Sequence, residues 1–154
     1  MNNTNRSKIF GITFKGRKQY ETKIDRSNEE LLIQKYCDKF GYSYHKQPKR
    51  HVLDYAVFKG KEFRCFVEVK KRSCKKNTYS TYLLSRDKWD AVRSAKMLYG
   101  IKSVLLVGWV DCVGYVQISD FDSPHWVWGG RKDRQDADDQ ELCALINIEK
   151  FEIL

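Results

Sequence analysis

Residues 53–58 read Leu-Asp-Tyr-Ala-Val-Phe, and residues 66–70 read Phe-Val-Glu-Val-Lys. Apolar and aromatic side chains dominate both segments, which is typical of β-strands. We therefore predict one strand over residues 52–58 and a second strand over residues 63–69. The polar residues 59–62 between them include a glycine and favour a hairpin turn. An antiparallel pair of strands is thus the first predicted element of the fold.

Three charged residues, Asp54, Glu68 and Lys70, interrupt these apolar strands. Side chains two positions apart in a strand share a face, so Glu68 and Lys70 project together. A hairpin would also let Asp54 approach Glu68 from the neighbouring strand. Two close carboxylates are costly unless a cation compensates them, and oxygen ligands of this kind suit Mg²⁺ or Mn²⁺. The alternative is an ordinary surface ion pair between Glu68 and Lys70.

A first helix is predicted before the hairpin, from Ser27 to Gly41. Ser27 can serve as its N-cap, Glu30 three residues later completes a capping box, and Gly41 is a stop signal. The apolar residues of this segment recur at helical spacing, as expected for a helix that packs on a core; they are Leu32, Ile33, Tyr36, Cys37 and Phe40.

A second helix is predicted over residues 85–99 and ends at Gly100. The residues expected to face the core are Trp89, Val92, Ala95 or Lys96, Leu98 and Tyr99. Residues 70–77 between the hairpin and this helix read as a cationic loop. Further strand-like runs follow the helix, at residues 103–110, 113–118, 125–128, 142–148 and 151–154, and a charged loop is predicted over residues 131–141.

This order of elements predicts an α/β fold with a central mixed β-sheet flanked by helices. The chain has 154 residues, which suits one domain. We expect a flexible polar tail over residues 1–7 and a single domain over residues 8–154.

The charge balance indicates a polyanionic partner. Lys and Arg number 29 and Asp and Glu number 20, which gives a formal net charge of +9. Positive charge in excess favours nucleic acid, because each neutralised phosphate releases condensed counterions. Charge alone does not separate a nucleic-acid-binding protein from a basic protein without such a partner.

The cysteines and the apolar runs indicate the compartment. The five cysteines are scattered and form no Cys-x-x-Cys pair, which argues against a zinc ribbon and a disulfide framework. No apolar run approaches the roughly 18 residues of a membrane span, and residues 1–8 lack the apolar stretch of a signal peptide. We therefore expect a cytoplasmic protein that does not contact a membrane.

In this set of motifs the chain resembles the PD-(D/E)XK nuclease superfamily. The matching pieces are Glu30 in the first helix, Asp54, and Glu68-Val69-Lys70 fourteen residues after the aspartate. The resemblance covers about residues 27–118, and it implies a restriction-endonuclease-like fold. One departure from the family pattern is that Leu53, rather than proline, precedes the aspartate.

The resemblance also implies roles for these residues. Asp54, Glu68 and the backbone carbonyl of Val69 would hold one Mg²⁺ or Mn²⁺, and Lys70 would orient or help deprotonate the attacking water and stabilise the transition state. Glu30 would lie near a second metal position. Glu29 is close enough in helical angle to take the place of Glu30, but Glu30 is the preferred helix carboxylate.

Basic residues flank the predicted centre on both sides and are expected to contact phosphates. They are Lys46, Lys49 and Arg50 before the aspartate strand, and Lys71, Arg72, Lys75 and Lys76 after the glutamate strand. Ser85 and Lys88, at the start of the second helix, occupy positions where related nucleases often carry a polar or basic residue facing the site. The alternative for these two is an N-cap serine beside a solvated lysine.

The first functional hypothesis is a metal-dependent nuclease that hydrolyses phosphodiester bonds, with a DNA endonuclease preferred over an enzyme acting on RNA. Its setting would be a bacterial cell or a phage-infected host. The alternative is a nucleic-acid-binding module on the same fold without catalysis, and a third hypothesis is a basic interaction protein. The sequence leaves the form of the nucleic acid and the oligomeric state open, with a homodimer as one option.

Overall fold

The computed structural model describes residues 8–9, 12–13, 23–120, 124–130 and 140–154. Within these ranges the chain forms two α-helices, which are α1 (Lys23–Phe40) and α2 (Arg86–Tyr99). The strands are β1 (Lys8–Ile9), β2 (Ile12–Thr13), β3 (Ser43–Lys46), β4 (Tyr55–Lys59), β5 (Glu62–Lys71), β6 (Thr81–Ser85), β7 (Lys102–Gly108), β8 (Val113–Gln117), β9 (His125–Gly130), β10 (Gln140–Asn147) and β11 (Glu152–Ile153).

The main sheet has six strands in the order β11-β8-β7-β5-β4-β3. Strands β5 and β7 are parallel, and the other neighbours are antiparallel. The predicted hairpin is present as β4 and β5, with Tyr55 opposite Val67. The prediction of a mixed α/β fold around a central mixed sheet is confirmed.

A second, smaller sheet has the order β6-β10-β9 and is antiparallel throughout. Strand β6 leads directly into α2, whereas β9 and β10 come later in the chain, after β8. Strands β1 and β2 pair with each other near the start of the described chain.

The two helices contribute to two separate clusters of buried residues. Ile33, Tyr36 and Cys37 of α1 pack with a cluster that includes Val67 and Val69 of β5. On the other side, α2 buries Trp89 and Val92 against residues of β7 and of the smaller sheet. Since side chains alternate along a strand, β5 turns its valines towards α1 and Glu68 towards α2.

The start of α1 differs from the prediction. The helix begins at Lys23, so Ser27 lies inside it, and the predicted capping box of Ser27 and Glu30 at the N-terminus of the helix is wrong. A serine in a helix interior costs only a few tenths of a kcal/mol relative to a good helix former, so it does not stop the helix. The end agrees with the prediction, since α1 stops at Phe40, just before Gly41.

The second helix was placed correctly, but not all of its expected core contacts form. Ser85 is in the N-cap position, and Gly100 ends the helix in the left-handed conformation with a φ of 65°. Trp89 is buried as predicted, whereas Leu98 and Tyr99 are exposed. These two residues lie in the last turn of α2, and Gly100 redirects the chain immediately after them.

Two strands were not predicted, namely β3 and β6. Both are short, and in β3 no residue is buried, so β3 carries little strand signal. β6 buries Tyr82 and Leu84 in alternation, which is a strand signal only five residues long. The interval predicted as a cationic loop accordingly shrinks, because β5 extends through Lys71. Likewise β10 begins at Gln140, inside the predicted charged loop, whose residues 131–139 lie outside the described part of the chain.

The tail predicted over residues 1–7 also lies outside the described residues, and a single domain over residues 8–154 stays a prediction. Neither described helix has the length and apolar composition needed to cross a lipid bilayer.

The packing of α1 on the main sheet can be tested through Ile33, which is fully buried. Truncation to alanine leaves a cavity between helix and sheet, so we expect Ile33→Ala to lower the free energy of unfolding by about 2–5 kcal/mol. Leu31→Ala is the matched control, because Leu31 lies on the same helix and is 67% exposed. Urea unfolding followed by circular dichroism measures both; equal effects of the two variants would contradict this packing.

Candidate active site

The candidate site lies at the end of the main sheet where β3 and β5 finish and β4 begins. Asp54 directly precedes β4, and two backbone hydrogen bonds position it. The backbone N–H of Val69 donates to Asp54 Oδ2 over 2.9 Å, and the N–H of Gln47 donates to the Asp54 carbonyl over 2.8 Å. The first of these bonds holds the carboxylate beside the Glu68-Val69-Lys70 segment of β5.

Glu68 is fully buried, whereas its neighbours in the site keep some contact with solvent. The ammonium of Lys70 lies 2.8 Å from Glu68 Oε1, and its side chain is 33% exposed. The predicted projection of Glu68 and Lys70 to one side of the strand is therefore present.

Lys88, from the first turn of α2, contacts both carboxylates. Its Nζ lies 2.7 Å from Glu68 Oε2 and 4.0 Å from Asp54 Oδ1. The same ammonium donates to the backbone carbonyl of Val52. Of the two alternatives for this residue, a solvated lysine and a lysine facing the site, the structure contains the second. Asp54 and Glu68 consequently share one positively charged group.

Helix α1 contributes Glu29 to the same region. Glu29 Oε2 lies 3.1 Å from the ammonium of Lys46 in β3, and the Glu29 side chain is 19% exposed. Glu30 turns elsewhere, since one of its carboxylate oxygens lies 3.5 Å from the hydroxyl of Tyr44. The sequence favours Glu30 as the helix carboxylate, whereas the structure places Glu29, and not Glu30, beside Asp54 in the same pocket.

A pocket of about 280 Å³ joins these residues. Its walls contain Glu29, Asp54, Lys70 and Lys88, and its outer part includes Lys46 and Lys49. Glu30 does not line it. The structure thus brings acidic and basic side chains from α1, β5, α2 and the residue before β4 to a single opening at the sheet end.

Burial and neighbouring charges alter the acidity of these groups. Burial raises the pKa of the Glu68 carboxyl, and Asp54 adds to this effect, while the ammonium groups of Lys70 and Lys88 oppose it. For Lys70 burial acts to lower the pKa, but Glu68 and Asp54 outweigh it and raise the pKa above its usual value. Because its pKa is raised, Lys70 is a cation at neutral pH. Burial and the charge of Asp54 also raise the pKa of Glu29.

The donor set of this site fits a divalent cation with oxygen ligands. Among the described residues, no group of three or more His, Cys, Asp and Glu side chains could hold a metal. The candidate ligands are the carboxylate of Asp54, which lines the pocket, and that of Glu68, which is fully buried and pairs with Lys70 and Lys88. Mg²⁺ commonly binds through one or two carboxylates with water completing its shell. A cation is already accommodated between these carboxylates, since the Lys88 ammonium lies within 4.0 Å of both.

The predicted phosphate-contacting residues fall into different environments. Arg72 is committed to the protein, because its guanidinium donates to the Tyr82 hydroxyl over 2.6 Å and lies 4.7 Å from the centre of that ring. Lys46 pairs with Glu29, and Ser85 makes no side-chain capping hydrogen bond. The remaining predicted cations lie at or near the surface around the sheet end; they are Lys49, Arg50, Lys71, Lys75 and Lys76.

Two features of the site, the position of Glu29 and the bridging contacts of Lys88, differ in how far the sequence could predict them. The position of Glu29 had a detectable signal, because Glu29 lies four residues before Ile33 and seven before Tyr36, on the buried face of α1. The bridging position of Lys88 had none, since it depends on how α2 crosses the sheet.

Residues 15–154 match the model of a protein family described as "Phage putative PDDEXK endonuclease". In fold the chain is similar to Hjc, a Holliday junction resolvase from the archaeal hyperthermophile Archaeoglobus fulgidus, with a TM-score of 0.51 and 12% sequence identity. This similarity covers 79% of the present chain and 87% of the resolvase chain, and at such identity it shows a shared fold alone. Among curated protein sequences, none matches the chain.

The contact between Lys88 and Glu68 can be tested through the pH dependence of stability. Lys88→Met removes the ammonium 2.7 Å from Glu68 Oε2, so the pKa of the Glu68 carboxyl should rise further. The pKa of Glu68 is raised in the folded protein, whereas it is 4.5 in the unfolded chain. At pH values just above 4.5, the folded protein therefore keeps the Glu68 proton that the unfolded chain has released. The free energy of unfolding then falls as pH rises above 4.5, and it should fall more steeply in the variant.

Urea unfolding between about pH 5 and pH 8 measures this slope. The lost hydrogen bond to Val52 lowers stability equally at every pH, so only the slope reports on Glu68. Lys59→Met, at an exposed lysine of the hairpin, should keep the wild-type slope. Parallel profiles for Lys88→Met and the wild type would contradict the proposed coupling.

Proposed function

Because the chain belongs to the family of phage PD-(D/E)XK endonucleases and is a nuclease of that type, we propose that it is a divalent-metal-dependent DNA endonuclease whose centre is formed by Asp54, Glu68 and Lys70. The observation that carries the proposal is the pair of carboxylates that lie within 4.0 Å of one ammonium at the sheet end. A site that accommodates one cation between two carboxylates has the charge arrangement that a Mg²⁺ or Mn²⁺ site needs.

Asp54 and Glu68 would hold the metal, and the neighbouring carbonyl of Val69 would be the backbone ligand. When bound, the metal would act as a Lewis acid on the scissile phosphate and lower the pKa of a coordinated water. The hydrogen bond from the Val69 N–H occupies Asp54 Oδ2. The other oxygen, Oδ1, is directed towards Lys88 and would be available as a metal ligand.

Lys70 would act as a fixed positive charge rather than as a base. Its pKa is raised by Glu68 and Asp54, so the ammonium keeps its proton at neutral pH. A preorganised cation beside the scissile phosphate stabilises the negative charge that develops in the transition state. Lys70 would thus contribute electrostatic stabilisation of the transition state.

Glu29 would be the carboxylate of α1 that takes part in the site. It lines the pocket together with Asp54, and the charge of Asp54 raises the pKa of its carboxyl. Lys46 and Lys49 at the opening of the pocket would contact the phosphates on either side of the cleaved bond. DNA is the proposed substrate, with RNA as the alternative that the cleavage assay below distinguishes.

We assign this activity to the cytoplasm of a bacterial cell or a phage-infected host. All five cysteines lie in the described part of the chain as free thiols, which agrees with a reducing compartment. The alternative function is a non-catalytic nucleic-acid-binding module. It would use the same surface lysines and arginine around the sheet end and would need no metal.

Variants of the three central residues separate the enzyme from the binding module. The wild type should cleave DNA with Mg²⁺ or Mn²⁺ and lose this activity with a chelator. Asp54→Asn and Glu68→Gln should each abolish cleavage but keep or tighten DNA binding, since each removes a negative charge near the phosphate path. Lys70→Ala should lower the cleavage rate about 10²–10³-fold and weaken binding slightly, since it removes a positive charge.

Cleavage of labelled duplex, single-stranded and branched DNA and of RNA measures the activity, and fluorescence anisotropy in chelator measures binding. Thermal melting of each variant controls for unfolding. Intact substrates throughout, with wild-type protein and Mn²⁺, would favour the binding module.

The choice of helix carboxylate is tested by Glu29→Gln and Glu30→Gln, which are adjacent and chemically identical changes. Glu29→Gln removes negative charge beside Asp54, so we expect weaker Mn²⁺ binding by calorimetry and slower cleavage. Glu30→Gln should leave both near the wild-type values, because Glu30 contacts Tyr44 outside the pocket. A larger loss in Glu30→Gln would reverse the assignment.

A further inference from the structure

A second cleft, of about 290 Å³, lies between the chain that follows β5 and strand β6. Aromatic and aliphatic side chains form most of its surface. The principal ones are Tyr79, Tyr82, Leu83, Trp109 and Ile148, with Lys76 at the same cleft. Its size is close to the lower end of small-ligand pockets, which start at about 300 Å³. The volume and the apolar walls suit one flat, weakly polar group rather than a long chain.

This cleft is adjacent to the candidate active site. Lys70 lines the active-site pocket and Arg72 lines the cleft, and these residues are two positions apart in the chain, at most about 7 Å between their Cα atoms. Arg72 also donates to the hydroxyl of Tyr82, which lines the cleft. Residues of one short segment therefore contribute to both cavities.

Tyr79 is the unusual aromatic residue of the cleft. It is 67% exposed, whereas Tyr82 and Trp109 at the cleft are buried. Tyr82 packs against Phe151, and so does Trp109, while no ring contact links Tyr79 to another described residue. A tyrosine ring at the cleft with an open face provides a stacking platform for a nucleobase, because every base has a π-face.

The chain around the cleft carries positive charge that fits phosphates. Lys71 and Lys75 are exposed on the segment that forms one wall, and Lys76 lines the cleft itself. Cationic side chains beside aromatic ones are the combination that tracks a single-stranded backbone while its bases stack. An apolar peptide or a small uncharged ligand would gain nothing from these three lysines.

We propose that this cleft binds one unpaired base of the nucleic-acid strand that enters the active site, with Tyr79 stacking on the base and Lys76 contacting an adjacent phosphate. The proposal rests on the proposed nuclease function and names its substrate class as single-stranded or locally unpaired nucleic acid. A base that is paired and stacked in a duplex must leave the helix before it can enter such a cleft.

Binding of two strands that differ only in their bases tests the proposal. One probe is a short oligothymidylate, and the other is an abasic strand with the same number of phosphates. Both are titrated into the full chain in chelator, so that no cleavage occurs. The wild type should bind the oligothymidylate about fivefold to a hundredfold more tightly. Tyr79→Ala should abolish this preference and leave the affinity for the abasic strand unchanged.

Two further variants separate base contact from charge. Trp128→Ala is the matched aromatic control, because Trp128 is also 67% exposed but lies on β9, outside the cleft. It should keep the base preference. Lys76→Ala should weaken both strands alike and reduce the slope of log affinity against log salt by about 0.7. Tyr79 is largely exposed, so its replacement should leave the melting temperature near that of the wild type.

Equal binding of the two strands by the wild type would overturn the proposal, as would a loss of preference in Trp128→Ala equal to that in Tyr79→Ala. Cleavage with Mn²⁺ is measured separately on the same preparations. If the protein cleaves but shows no base preference, the cleft proposal fails and the nuclease proposal stands. If the preference is present without cleavage, the cleft is supported and the nuclease proposal fails.

Discussion

The arrangement of the site depends on the buried carboxylate of Glu68. A carboxylate without solvent contact costs several kcal/mol unless opposite charges compensate it. Here Lys70 and Lys88 provide two ammonium groups at 2.8 and 2.7 Å. Lys88 comes from α2, so the compensation of Glu68 also anchors that helix to the end of the main sheet.

Helices on both faces of the main sheet contribute side chains to the site at the sheet end. On one face, the packing of α1 brings Glu29 to the pocket, and on the other, α2 brings Lys88. Asp54 joins them because the N–H of Val69 holds its carboxylate beside β5. The charged groups are thus held by helices, strands and a backbone hydrogen bond. These supports keep their relative positions well defined for chemistry on a phosphate.

Positive charge around the site divides into two kinds. Arg72 and Lys88 have intramolecular partners that hold the site together, whereas the exposed lysines around the sheet end are available to a polyanion. The 29 Lys and Arg residues of the chain therefore include some that cannot contact phosphates. The apolar cleft next to Arg72 adds a contact of another type, which distinguishes bases from backbone.

The sequence by itself determined the β4–β5 hairpin, the buried strand β7 and the placement of Glu68 and Lys70 on one side, because alternation along a strand is a local property. It also indicated the family, since the aspartate and the Glu-x-Lys segment lie close together along the chain. Only the tertiary structure decided that α1 begins at Lys23 and that Lys88 bridges the two carboxylates. These features depend on how two helices pack on opposite faces of the sheet, and packing between distant segments leaves no periodic signal in the sequence.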